Sequence, residues 1–154
     1  MINIGEALLP QSVNLALVAS DKASAVHEVA IRLRGDSRVT NWDLFEKAVL
    51  ERDAPAMLSC GYGICIAHGR TPGVCSIVMA LGRSDEGIVF PEVAEPVRLV
   101  FVAGIPAALS SEYLRIVGAI VRICRDPALL QKILTVKDAD KFVSLLGSEE
   151  HRLF

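Results

Sequence analysis

Residues 58–70 read Leu58-Ser59-Cys60-Gly61-Tyr62-Gly63-Ile64-Cys65-Ile66-Ala67-His68-Gly69-Arg70. Two glycines two apart mark a tight backbone bend, because glycine reaches left-handed conformations at little cost. The apolar run Ile64 to Ala67 behind the bend reads as a short buried strand. It delivers His68 immediately before Gly69. An imidazole placed there, at a strand end beside glycine, is expected to be exposed at a sheet edge.

On the N-terminal side, Asp21 caps an expected helix that runs to about Arg34. Val26, Val29, Ala30 and Leu33 form its apolar stripe, and Gly35 ends it. Before it, the alternation of Val13, Leu15 and Leu17 with Asn14, Ala16 and Val18 predicts a short strand. Thr40-Asn41-Trp42-Asp43 has the form of a loose capping box, with Thr40 as cap. The helix that follows carries Trp42, Phe45 and Val49 on one side. At 100° per residue Arg52 falls near the same side, so an arginine ends an otherwise apolar face. A cation snorkelling at a helix C-terminus has the same pattern.

On the C-terminal side, Cys75 to Leu81 and Val97 to Ala103 read as buried strands rich in Val and Ile. The link between them contains Gly82, Gly87, Pro91 and Pro96 and is expected to turn. Ser110 or Ser111 caps a helix with the stripe Leu114, Val117, Val121 and Cys124. Asp126-Pro127 is an N-cap followed by proline at the first helical position. Asp138 to Leu146 gives a last helix, stopped by Gly147. Strands mixed with helices argue for an α/β sandwich around one sheet.

The chain has 154 residues, 52% of them hydrophobic and 22% charged, which fits one domain with a sizeable core. The net charge of −2 leaves no bulk electrostatic footprint for nucleic acid or an anionic membrane. At 5%, aromatic residues are too few for a single-strand stacking platform. No apolar run approaches the roughly 18 residues of a bilayer span. Met1-Ile2-Asn3-Ile4-Gly5-Glu6 lacks the basic start of a signal peptide. Cys60, Cys65, Cys75 and Cys124 are expected to be reduced thiols of a cytoplasmic protein.

Three chemistries compete around His68. With Arg52 and Arg70 near it in sequence, His68 suits an anion, since an arginine fork meets two phosphoryl oxygens at once and neutral imidazole is a nucleophile. A satisfied loop histidine has the same spacing. Cys60, Cys65, His68 and Cys75 form C-x4-C-x2-H-x6-C, but without the C-x2-C knuckle of structural zinc sites, so no metal is expected. Cys65 as a nucleophile with His68 as base is disfavoured, because residues three apart in a strand face opposite sides. His27 and His151 have no chemical company.

Arg52-Asp53, Gly61-Tyr62-Gly63, Ile66-Ala67-His68 and Gly69-Arg70 occur in order, followed by Glu86-Gly87-Ile88-Val89-Phe90 and Pro96-Val97-Arg98-Leu99-Val100-Phe101. This ordered set resembles the enzyme IIA components of the fructose/mannitol class of the bacterial phosphotransferase system, which includes the nitrogen-regulatory IIA-like proteins. The resemblance covers most of the chain. It implies one domain over residues 1–154, a mixed β-sheet flanked by helices on both faces as in the mannitol-type enzyme IIA fold. It implies a phosphotransferase role in which His68 accepts a phosphoryl group from an HPr-type phosphocarrier. The group then passes to a IIB domain, or its presence sets which regulatory target is bound.

In that frame Arg52 steadies the phosphoryl group, and no cofactor or metal is needed. Gly61 and Gly63 let backbone N–H groups approach, and Arg70 adds charge. Four positions depart from the family pattern, among them Tyr62, which stands where the family is often polar. Leu58 replaces a threonine, with Ser59 as the nearest hydroxyl. Ala67 replaces the proline before the active histidine. Tyr113 replaces a second histidine, and its hydroxyl offers a hydrogen bond but no positive charge. The departures leave a second reading, a non-catalytic IIA-like interaction module with a drifted site.

Overall fold

The computed structural model describes residues 1–50 and 57–153, with Met57 and Leu58 described by backbone alone. Five strands form one mixed sheet: β1 (Leu8–Asn14), β2 (Met57–Gly61), β3 (Ile64–Arg70), β4 (Val78–Ile88) and β5 (Val97–Ile105). Their order is β1-β4-β5-β3-β2. β1 runs parallel to β4 and β3 parallel to β5, whereas β4 pairs with β5 and β2 with β3 in antiparallel fashion.

Helices cover both faces, as the resemblance implies. On one face, Ile64, Ile66, Leu99, Phe101 and Ala103 pack under α1 (Ile4–Ala7), α4 (Ser110–Arg125), α5 (Pro127–Thr135) and α6 (Ala139–Leu153). On the other, Cys65, Ala67, Val100 and Val102 pack under α2 (Lys22–Ala30) and α3 (Trp42–Val49). A strand covered on both faces needs apolar side chains at odd and even positions alike, and the run Ile64 to Ala67 supplies them.

Where local chemistry suffices, the expected element forms. The Asp21 carboxylate accepts from Ser24 N–H at 2.9 Å to open α2, and a 3₁₀ turn carries the chain on to Leu33 before Gly35 at φ 96°. Asp126 accepts from the Ala128 and Leu129 N–H groups, at 2.9 and 3.2 Å, to open α5. Asp138 caps α6 through Lys141 N–H at 3.0 Å.

Several expectations are corrected. The first strand is Leu8–Asn14, earlier than the Val13 to Leu17 alternation suggested. Asn41, rather than Thr40, caps α3, accepting from Leu44 N–H at 3.1 Å. The strand expected from Cys75 is β4, which begins at Val78 and runs through Gly82 and Gly87. Gly82 sits inside it because a Cβ there would lie 2.4 Å from Val29 Cγ2 and 2.7 Å from Leu17 Cδ1. That glycine marks close packing of α2, not a turn.

Neither Ser110 nor Ser111 caps α4. The helix continues a 3₁₀ turn over Ala107–Leu109, and Ser110 Oγ donates back to the Ala107 carbonyl at 3.0 Å. Its buried face is Tyr113, Ile116, Val117, Ile120, Ile123 and Cys124, while Leu114 is 66% exposed. α6 does not stop at Gly147. Glu149 and Glu150 are buried beyond the expected end, and the Glu150 carboxylate accepts from Ile4 N–H at 2.8 Å.

Candidate functional site

The β2–β3 hairpin turns on Tyr62-Gly63, with φ of 55° and 73°, and Gly61 before them has φ 74°. Two central residues with positive φ make the primed turn that matches strand twist. Gly63 is also packed: a Cβ would meet the Pro96 carbonyl at 3.0 Å, and its own carbonyl accepts from Arg98 and Leu99 N–H at 2.8 and 3.1 Å. The turn lies at the start of β3 and His68 lies five residues on, roughly 16 Å at the usual strand rise. The expected cradle of Gly61 and Gly63 around His68 is therefore not formed. These glycines build the hairpin.

His68 lies within β3, two residues before its end. It is half-buried, and its Nδ1 is buried. Met57, where β2 begins, pairs with Ala67, so β3 outruns the described part of β2 at His68. Beyond that point β3 still pairs with β5: His68 with Ala103, Gly69 with Gly104 and Arg70 with Ile105. The sheet-edge position expected of the imidazole is corrected: β3 lies between β5 and β2, inside the sheet.

Alternation puts His68 on the face of Ile64 and Ile66, under α4. There its ring centroid lies 5.6 Å from that of Tyr113, with the planes at 47°. Tyr113 belongs to the fourth residue position of α4, near the positive end of the helix dipole. It is 5% exposed, and its hydroxyl is buried without a hydrogen-bond partner among the described residues. Burial, aided by nearby Cys60, pushes the phenol above its usual range, so it stays protonated.

The remaining sequence candidates divide. Arg70 is exposed and shares the His68 face, two residues along the strand. Ser59 does not share it. Ser59 is the register partner of Cys65, and its hydroxyl bonds that thiol on the α2–α3 side. Arg52 lies outside the described residues. Ala48, four residues before it, sits on the backbone beside His68: a Cβ on Gly69 would be 2.4 Å from the Ala48 carbonyl oxygen.

Sequence reasoning missed Cys60 as part of this wall. It is half-buried, packs against the α4-side core, and its thiol is raised by burial. The parity of β2 relative to β3 was the missing signal. Cys65, weighed as a zinc ligand or nucleophile, faces the other core, where burial pushes its thiol up to about 11. All four cysteines are free thiols.

The family model of the phosphoenolpyruvate-dependent sugar phosphotransferase system, EIIA 2, matches residues 6–149. The chain belongs to this family. It is 28% identical over 145 residues to a nitrogen regulatory protein of Bradyrhizobium diazoefficiens, covering 94% of each chain. It is 32% identical over 139 residues to a fructose-specific EIIA component of Haloferax volcanii, covering 86% of this chain and 90% of that one. Its fold matches the crystal structure of the nitrogen regulatory protein IIA-Ntr from Neisseria meningitidis with a TM-score of 0.80 and 26% identity, over 93% of this chain and 98% of the other. Membership makes this enzyme IIA-type chain a phosphotransferase-system component with a phosphoryl-carrier or regulatory role. Among the described residues no helix is long and apolar enough to cross a membrane.

Proposed function

We propose that His68 is the phosphoacceptor of this chain and that it takes its phosphoryl group from a phosphorylated HPr-type carrier. The observation that carries the reading is the setting of the imidazole. It is held in β3 beside Ala103 of β5, half-buried, with Nδ1 turned into the protein. That leaves Nε2 as the nitrogen a partner protein reaches. Phosphoryl transfer asks a protein mainly for positioning and charge stabilisation, and a ring fixed between strand and helix supplies the first.

Arg52 and Arg70 supply the second. Arg70 is exposed on the same face, and Arg52 follows α3, whose Ala48 packs on Gly69, the residue after His68. In the transfer, the Nε2 lone pair forms the new N–P bond while the N–P bond of the donor breaks and its nitrogen keeps the bonding pair. The acceptor downstream is a IIB domain or a regulatory target protein, and the reaction takes place in the cytoplasm.

The test is intact-mass analysis after mixing the protein with enzyme I, an HPr-type carrier and phosphoenolpyruvate. One acid-labile phosphoryl group that His68→Ala lacks is the expected result. Equal labelling of that variant overturns the site. No adduct on the folded wild-type protein points to the interaction module instead.

A further inference from the structure

Tyr113 presents a cost that the resting protein does not recover. Its hydroxyl is out of water and makes no hydrogen bond among the described residues. A buried hydroxyl without a partner destabilises a fold, and phenylalanine fills the same space without that penalty. The side chain is nevertheless locked in place, 5% exposed, on the α4 face that packs against the sheet. Its ring neighbours the one imidazole of the chain that is set in the sheet.

We propose that the Tyr113 hydroxyl is the donor that receives the phosphoryl group on His68, a neutral hydrogen bond built in before the group arrives. This rests on the phosphoacceptor reading of His68. A phosphoryl group brings three acceptor oxygens carrying negative charge, and a hydrogen bond to a charged acceptor is stronger than one between neutral groups. The phenol keeps its proton throughout: the N–P bond forms at His68, the donor's N–P bond breaks, and Tyr113 only donates a hydrogen bond. The positive end of α4 adds to the same side. Because the donor waits in a rigid, desolvated position, it need not reorganise when charge arrives. The unmet bond of the resting state is thereby met in the phosphorylated one.

The experiment compares wild type with Tyr113→Phe, which removes one oxygen and keeps the ring. Unphosphorylated Tyr113→Phe is expected to unfold at the same temperature as wild type or higher. Its phosphorylation by the phosphorylated carrier is expected to be at least about 10-fold slower, or its equilibrium with the carrier shifted about 10-fold toward the carrier. Rate and equilibrium both within about twofold of wild type overturn the assignment while leaving His68 as acceptor. Absence of any adduct on wild type overturns both. A second measurement needs no substitution. In wild type labelled with ¹³C at tyrosine Cζ, the Tyr113 resonance is expected to shift on phosphorylation, and an unmoved resonance overturns the hydrogen bond.

Discussion

Gly69 and Gly104 are register partners in adjacent strands, and α3 rests directly on both. A Cβ on Gly69 would meet the Ala48 carbonyl oxygen at 2.4 Å, and one on Gly104 would meet the Phe45 ring at 2.8 Å. The pair is a bare patch of sheet that lets a helix approach closer than side chains permit. It lies next to His68, so the packing of α3 and the position of the imidazole share one piece of backbone.

Gly69→Ala is therefore expected to destabilise the protein by about 1–3 kcal/mol, because the obstructing atom is backbone and cannot swing aside. Chemical denaturation measures this. A loss below about 0.5 kcal/mol would show that α3 shifts freely.

The hairpin glycines are expected to matter for stability and not for chemistry. Gly61→Ala meets no atom within 4 Å but keeps φ at 74°, at a cost of about 1 kcal/mol. Gly63→Ala adds the contact with the Pro96 carbonyl and is expected to cost more. Both variants should be phosphorylated at wild-type rate once folded. A phosphorylation defect in folded Gly61→Ala would return these glycines to the phosphoryl site.

Arg52→Ala is expected to slow phosphorylation of His68 on the order of 100-fold, as for other groups that stabilise transition-state charge. Rapid-quench kinetics with the phosphorylated carrier decides it. A rate within about twofold of wild type would remove Arg52 from the mechanism.

Asp36 gives the protein an acid-sensitive brace. Its carboxylate accepts from Arg38 at 2.8 and 3.0 Å, and that guanidinium also donates to the carbonyls of Glu6, Ala7 and Ile77. The hydrogen bond from Arg38 holds the carboxyl below its ordinary range. The ionised form is thus favoured by folding. Its contribution is complete above the unfolded value of about 3.9 and is lost as pH falls through the lower folded value. Asp36→Asn should be destabilised by about 1–3 kcal/mol at pH 7, with the gap to wild type closing in acid as the pH falls below the ordinary carboxylate range. Unfolding curves at neutral and acid pH test it, and a gap that does not close counts against the pair.

Thiol reactivity should follow burial. Cys75 is exposed and should be alkylated first in the native protein, with Cys60 slower. Cys65 and Cys124 are buried, and desolvation pushes their thiols up to about 11 and about 12, so neither should react before unfolding. Peptide mapping after brief alkylation at pH 8 checks the order. Early modification of Cys124 would contradict the packing of α4.

The helix starts at Asp21 and Asp126, the bend at Gly61-Tyr62-Gly63 and the buried run of β3 were legible because each is a contract between near neighbours. A carboxylate reaches an N–H two or three residues on, and a primed turn needs only its own two φ angles. The ordered set from Arg52 through Phe101 gave the family and His68 in the same way. Gly82 and Gly147 misled for the opposite reason. One reads as a turn and the other as a stop, yet a helix lies against Gly82 and a buried Glu150 holds α6 beyond Gly147.

By itself, then, the sequence determined the strand that carries His68, the caps at Asp21 and Asp126, the Tyr62-Gly63 turn and the candidate acceptor. Only the tertiary structure decided which neighbours that acceptor has. Of the α4 stripe, Val117 and Cys124 are buried but Leu114 is exposed, and Tyr113, which only the resemblance put at the site, came to the imidazole through helix-on-sheet packing. Ser59 left the site through β2 register. Side-chain direction changes with every residue, flipping face in a strand and turning by about 100° in a helix, while the forces that set phase and register act between elements far apart in the chain.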